Sequence, residues 1–123
     1  MNGINFFIDT NIALYLLNGD ETIAKLLHGK SIFISFITEL ELLGYKDISK
    51  EEINRIEDFL KEVTIVDINS EIKKIVIELR KSNRIKLPDA IIAGSSNFLN
   101  FPLLTSDKDF SNLSELNILL YEK

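Results

Sequence analysis

Short runs rich in Ile, Val and Phe alternate along this chain with stretches whose apolar residues recur at helical spacing. That alternation restricts the available folds more than any other feature. The runs fall at Ile4–Ile8, Ser31–Ser35, Val63–Val66, Leu103–Thr105 and Asn117–Tyr121, and each predicts a strand. Between them the period changes: Ile53, Ile56, Phe59/Leu60 and Val63 follow one helical stripe, and Ile72, Ile75/Val76 and Leu79 follow another. Ser49-x-x-Glu52 predicts a capping box before the first stripe, and Asn69 or Ser70 a cap before the second. Asn18-Gly19-Asp20 predicts a turn inside the first connection, and Pro88 suits the first position of a helix, where a missing N–H costs nothing. The order β-α-α-β-α-α-β-α-α-β-β that results belongs to the α/β class. It implies a central, mostly parallel sheet of about five strands with helices on both faces.

At 123 residues the chain predicts one domain, 1–123, able to bury roughly two thirds of its unfolded surface. Apolar residues at 46 % and charged residues at 27 % give the balance of an ordinary globular protein. No stretch reaches the roughly 18 uninterrupted apolar residues of a membrane span. The first apolar run lacks a basic flank and is broken by Asp9, so a secretory signal is not expected either. The lack of cysteine removes disulfides, thiolate nucleophiles and zinc–sulfur clusters, and fits a reducing cytoplasm. A net charge of −5 opposes long-range attraction of nucleic acid. Bound cations at a cluster of acids would offset part of it, and a basic partner protein could meet the rest.

Four carboxylates sit where strands end or helices begin: Asp9 in INFFIDTN, Glu41 in SIFISFITELEL, Asp89 in KLPDAIIAG and Asp107 in PLLTSDKDF. In open α/β sheets the carboxyl ends of the strands gather on one edge, and ligands bind beyond it. Acids far apart in sequence can converge there, repelling one another unless they hold a cation or protons. Each also has a plain structural account. Asp9 or Thr10 could cap a helix starting near Asn11. Thr38-x-x-Glu41 fits a capping box, and Asp89 would complement a helix dipole. Asp107 and Asp109, either side of Lys108, suit an Asx turn. Glu39 and Glu41 face different sides of a helix; Glu41 is the expected site residue because Ile37, Leu40 and Gly44 would flank it on a packed side. Ala90, Ala93 and Gly94 predict close packing of the Asp89 helix against the sheet.

Hard oxygen donors of this kind suit Mg²⁺ or Mn²⁺, which activate water and polarise phosphoryl oxygens. A metal-free route through a ribose hydroxyl would normally use histidine. His28, the one histidine, is expected to end a helix instead. Asp67 reads as a helix-entry acid beside Asn69. Arg84, Lys86 and Lys108 lie near the acids in sequence, either as solvated charges or as holders of substrate phosphates. No Gly-rich phosphate loop, Ser-His-Asp set or dinucleotide fingerprint is present.

Taken in order, IDTN, ISFITELELLGY, LPDAIIAG and LLTSDKDF resemble the four acidic motifs of PIN-domain ribonucleases, especially the VapC-like toxins of bacterial toxin–antitoxin pairs. The resemblance spans essentially the whole chain. It implies a three-layer α/β/α fold in which Asp9, Glu41, Asp89 and Asp107 bind Mg²⁺ or Mn²⁺ and hydrolyse RNA. Asn11 and Thr105 match supporting polar positions, and Asp109 stands beside Asp107 as a second candidate for the last metal ligand. It also implies a homodimer, and a cognate antitoxin that grips the early helices and pushes a basic side chain into the acidic pocket. The expected function is a metal-dependent endoribonuclease, the toxin of a type II pair. Rival readings are a PIN nuclease of RNA processing, one acting on DNA, a non-catalytic PIN binding module, and a receiver-like Mg²⁺-binding signalling domain. The receiver expects an acid pair after the first strand, where this chain has Asp9 alone.

Overall fold

Side chains alternate across a strand, and along β1 (Asn5–Ile8) that alternation sets the layers. Phe6 and Ile8 enter one apolar cluster, with Ile12, Ala13, Ile23, Leu27 and Ile56 from α1 (Thr10–Leu17), α2 (Glu21–Leu27) and α4 (Lys50–Glu62). Phe7 enters the other, with Leu79, Ile92 and Ala93 from α5 (Ser70–Ser82) and α6 (Leu87–Leu99). The result is a sheet between two helical layers, with α3 (Phe36–Leu43) reaching both clusters through Leu42 and Ile37. The computed structural model describes residues 4–122; residues 1–3 and 123, at the ends of the expected domain, lie outside them.

The strands β2 (Ser31–Ser35), β3 (Thr64–Val66), β4 (Leu103–Thr105) and β5 (Ile118–Leu120) join β1 in the order β3-β2-β1-β4-β5. Every pairing is parallel, so the mostly parallel expectation is met in full. From β1 the chain runs outward to β2 and β3, then returns to place β4 on the other side of β1. At such a reversal, neighbouring connections leave in opposite directions and open a crevice beyond the strand ends. Here it lies between the ends of β1 and β4.

Local signals operate largely as read. Ser49 Oγ accepts from the Glu52 amide at 3.1 Å while Glu52 Oε1 accepts from the Ser49 amide at 3.2 Å, completing the capping box. Asn69, rather than Ser70, caps α5 through the Ile72 amide at 2.8 Å. Gly19 takes a φ of 84° in the first connection, and Asp20 caps α2 through the Ile23 amide at 3.0 Å. Several boundaries move by one residue: β1 starts at Asn5 rather than Ile4, and β5 spans Ile118–Leu120 rather than Asn117–Tyr121. Val63 ends α4, so β3 begins one residue later than expected. Pro88 is the second residue of α6, not the first, a position whose N–H is still without an intrahelical partner.

The small residues of α6 divide between two neighbours. Ala93 packs toward the sheet with Phe7 and Leu103, as expected. Ala90 clusters instead with Ile72 and Val76 of α5. At Gly94 an added Cβ would stand 2.9 Å from Val76 Cγ2 and 3.6 Å from Ile75 Cγ2, so it is α5 that Gly94 admits closely. That approach fixes the helix carrying Asp89. Because β-branched Val76 cannot swing aside, Gly94→Val should destabilise the protein by about 1–3 kcal/mol, read as a lower urea midpoint at unchanged m-value. An unchanged midpoint would show that the α5–α6 seam has slack.

Candidate active site

Asp9 follows β1 directly and is only 4 % exposed. Its Oδ1 accepts from the Ile12 amide at 3.0 Å, capping α1, and its Oδ2 accepts from the Thr105 hydroxyl at the end of β4. Thr105 Oγ1 accepts in turn from the Asp107 amide at 3.0 Å. One fully buried threonine thus ties the ends of the two central strands together and orients the turn that follows. Asp107 Oδ1 accepts from the Asp109 amide at 2.9 Å, opening the 3₁₀ helix Lys108–Asn112. The Asx-turn account and a place beside Asp9 therefore hold together for Asp107.

Glu41 approaches from α3. This helix begins at Phe36, capped by Ser35 through the Ile37 amide at 3.0 Å, so Thr38 and Glu41 lie inside it and form no capping box. The packed side expected from Leu40 is also wrong, since Leu40 is 59 % exposed. Thr10 positions Glu41 instead: its hydroxyl donates to Glu41 Oε1 at 2.6 Å. A hydroxyl has one proton. The 2.9 Å contact between Thr10 Oγ1 and Thr38 Oγ1 must therefore be donated by Thr38, which is fully buried. Asp89, half-buried in the first turn of α6, completes the set.

Electrostatics show which acids meet. Asp9 is raised above the ordinary carboxylate range mainly by burial, against the lowering hydrogen bonds from Thr105 and Ile12, with Asp107 and Asp89 adding repulsion. Asp89 is raised by burial, then by Asp107 and Glu41, with Lys86 opposing and Asp109 adding a final increment. Acids from the start of α1, from α3, from α6 and from the turn after β4 thus share one field. Asp107 weighs more on Asp89 than Asp109 does, and Asp107 alone of the two weighs on Asp9.

Asp89, Asp107 and Asp109 line a cavity of about 420 Å³ together with Arg80, Arg84, Ile85 and Lys86. A larger cavity of about 510 Å³ lies elsewhere, between α1, α2 and α4, and none of the four candidate acids lines it. Among the described residues no three acids or imidazoles are already drawn into an ion cage. Mg²⁺ does not require one, since it commonly keeps several waters and binds through one or two carboxylates. Hard, mutually repelling oxygen donors at a crevice fit such an ion.

Lys108 is exposed and does not line this cavity, although its neighbours do. Asn11 is exposed on α1, His28 ends α2, and Asp67 is exposed ahead of the Asn69 cap. Arg80 escaped the sequence reading, and Thr10 and Thr38 entered it only as capping candidates, not as the hydroxyls that hold Glu41. Thr10 sat in plain view beside Asp9, and Arg80 precedes Arg84 by four residues; for Thr38 only the packing of α3 against α1 supplies the signal.

The sequence pattern of the PIN domain family matches residues 6–116, and the chain belongs to that family. Solved structures similar to it share its fold over nearly the whole length. VapBC2 from Rickettsia felis, bound to a DNA fragment from its promoter, has a TM-score of 0.82 at 23 % identity, covering 97 % of this chain and 100 % of that one. A toxin–antitoxin complex from Klebsiella pneumoniae has a TM-score of 0.81 at 28 % identity, covering 95 % and 98 %. VapBC-1 from nontypeable Haemophilus influenzae has a TM-score of 0.78 at 25 % identity, covering 98 % and 100 %. No curated protein matches the chain. The likeness read from the four acidic segments holds: this is a VapC-like PIN domain.

For Asp9 and Asp89 the folded protein holds its proton more tightly than the unfolded chain. Their share of stability is complete below the ordinary carboxylate range and falls as pH rises through the interval up to the raised values. Asp89→Asn cannot ionise and should flatten that fall. In metal-free thermal melts it should match the parent at the acid end and exceed its Tm by a few degrees at neutral pH. A lower Tm at neutral pH would mean that the carboxylate supports the fold.

Proposed function

We propose that this chain is a divalent-metal-dependent endoribonuclease that serves as the toxin of a type II toxin–antitoxin pair. The observation that carries the reading is the shared field of Asp9, Glu41, Asp89 and Asp107, from four separate elements at one sheet edge. Asp9, Asp89 and Asp107 would hold Mg²⁺ or Mn²⁺, with Asp109 beside Asp107. When bound, the ion would supply Lewis-acid activation of water and charge neutralisation at the scissile phosphate.

The chain's own groups do the rest. Thr105 holds Asp9 in one orientation, and the α1 amide at Ile12 fixes its second oxygen. Glu41, anchored by Thr10, takes a proton from the attacking water. Attack in line with the leaving 3′ oxygen forms a new P–O bond to the water oxygen and breaks P–O3′; the departing oxygen takes a proton from solvent, giving a 5′-phosphate and a 3′-hydroxyl. Exclusion of water from Asp9 strengthens its interaction with a cation.

A protein antitoxin is the proposed partner because the similar Klebsiella pneumoniae structure is a toxin–antitoxin complex. Homodimerisation and a cytoplasmic location complete the proposal.

The test is purified protein with a mixed RNA pool and a matched DNA pool, with and without Mn²⁺. RNA should be cut only with metal, and Glu41→Gln should slow cutting by about 10²–10⁴-fold. Cleavage that ignores the metal or the substitution defeats the proposal. Preferential DNA cleavage would redirect it to a DNA nuclease. Thr10→Val, which removes the hydroxyl and keeps the shape, should lower kcat by roughly tenfold and leave KM nearly unchanged. Equal loss in KM would mean that Thr10 meets the substrate instead.

A further inference from the structure

The most basic stretch of this acidic chain is Arg80-Lys81-Ser82-Asn83-Arg84-Ile85-Lys86, with four cations and no acid in seven residues, against a net charge of −5 overall. It forms the end of α5 and the whole connection to α6. Arg80, Arg84 and Lys86 line the same cavity as Asp89, Asp107 and Asp109. Ion pairs among the described residues join Lys61 to Asp58, Lys74 to Glu71 and Lys81 to Glu78; none takes up Arg80, Arg84 or Lys86. Three cations thus border three carboxylates without closing onto them.

Fold physics accounts for part of this stretch and fails for the rest. Arg80 and Lys81 in the last turn of α5 complement the negative end of that helix. Lys86 does the reverse. It occupies the N-cap of α6, where Ser, Thr, Asp or Asn would bond a free amide, and it makes no capping bond. Its charge also stands at the positive end of the helix dipole. Nothing in the helix itself calls for a cation there; within the protein the charge only eases the repulsion on Asp89.

Resting on the nuclease reading, we infer that Arg80, Arg84 and Lys86 form a subsite for the phosphodiester backbone of single-stranded RNA. The strand passes over the α5–α6 corner on its way to the acids. The corner holds phosphates flanking the scissile one, and supplies locally the attraction that the chain as a whole lacks. Guanidinium groups suit bidentate contact with phosphate, and none of the three cations has to leave a carboxylate to make it.

The test is fluorescence anisotropy of a labelled single-stranded RNA across a salt series, without catalytic metal. Joint replacement Arg80→Gln, Arg84→Gln and Lys86→Gln should weaken binding at least about tenfold at low salt. It should also reduce the slope of log affinity against log salt by about 2, at roughly 0.7 per phosphate contact. Lys25→Gln on α2 should leave the slope unchanged. Lys86→Ser separates binding from folding: it should raise Tm by supplying a cap while weakening RNA binding. An unchanged affinity and slope in the triple variant, or no RNA binding by the parent, overturns the subsite. Mn²⁺-dependent cutting by the parent is scored separately. Cutting with an unchanged slope leaves the nuclease and removes the subsite; binding through the corner without cutting does the opposite.

Discussion

The hydroxyl of Thr105 on the carboxylate of Asp9, 96 residues away in sequence, holds two parallel strands together at their carboxyl ends. The rest of the site is arranged around that bond. Asp9 is nearly excluded from water, so ionising it is costly, and its hydrogen bonds from Thr105 and Ile12 reduce the cost. Fixing it also fixes α1 through the cap at Ile12, and fixing Thr105 orients the turn with Asp107. A single buried contact therefore sets the relation between a sheet edge, a helix start and a loop.

The architecture was legible because its signals are local. Strand runs, the Ser49 and Asn69 caps and the Gly19 turn each act within a few neighbours and recur in the structure within a residue or so. The box expected at Thr38, by contrast, gives way to a cap by Ser35. Glu41 shows where such reading stops. Its place could be anticipated from the order of the acidic segments, but the reason offered, a packed face including Leu40, was incorrect. Helix phase alone does not tell which stripe meets the protein when α3 touches both clusters. The hydroxyl chain Thr38–Thr10–Glu41 is a tertiary arrangement joining residues 28 and 31 positions apart, and no spacing rule contains it. The small residues of α6 teach the same lesson. Ala90, Ala93 and Gly94 announce close packing, yet only coordinates show that Gly94 faces a helix and Ala93 the sheet.

Net charge gave a misleading first impression. A value of −5 averages an acidic crevice with a cation-rich corner beside it, and a polyanion near the protein responds to the local field. Surface ion pairs such as Lys81–Glu78 at 3.8 Å contribute little to that picture. Cations left unpaired beside the acids shape it more.

The parallel sheet also bears on timing during synthesis. β1 is made before every other strand of the sheet but lies in the middle, flanked by β2 on one side and by β4, made long after it, on the other. Until Leu103–Thr105 has left the ribosome, Asp9 lacks the Thr105 hydroxyl that orients it, and the turn with Asp107 cannot be held beside it. A nascent polypeptide of this design carries its acids unassembled until β4 has followed β1, β2 and β3, and the crevice between β1 and β4 comes together only then.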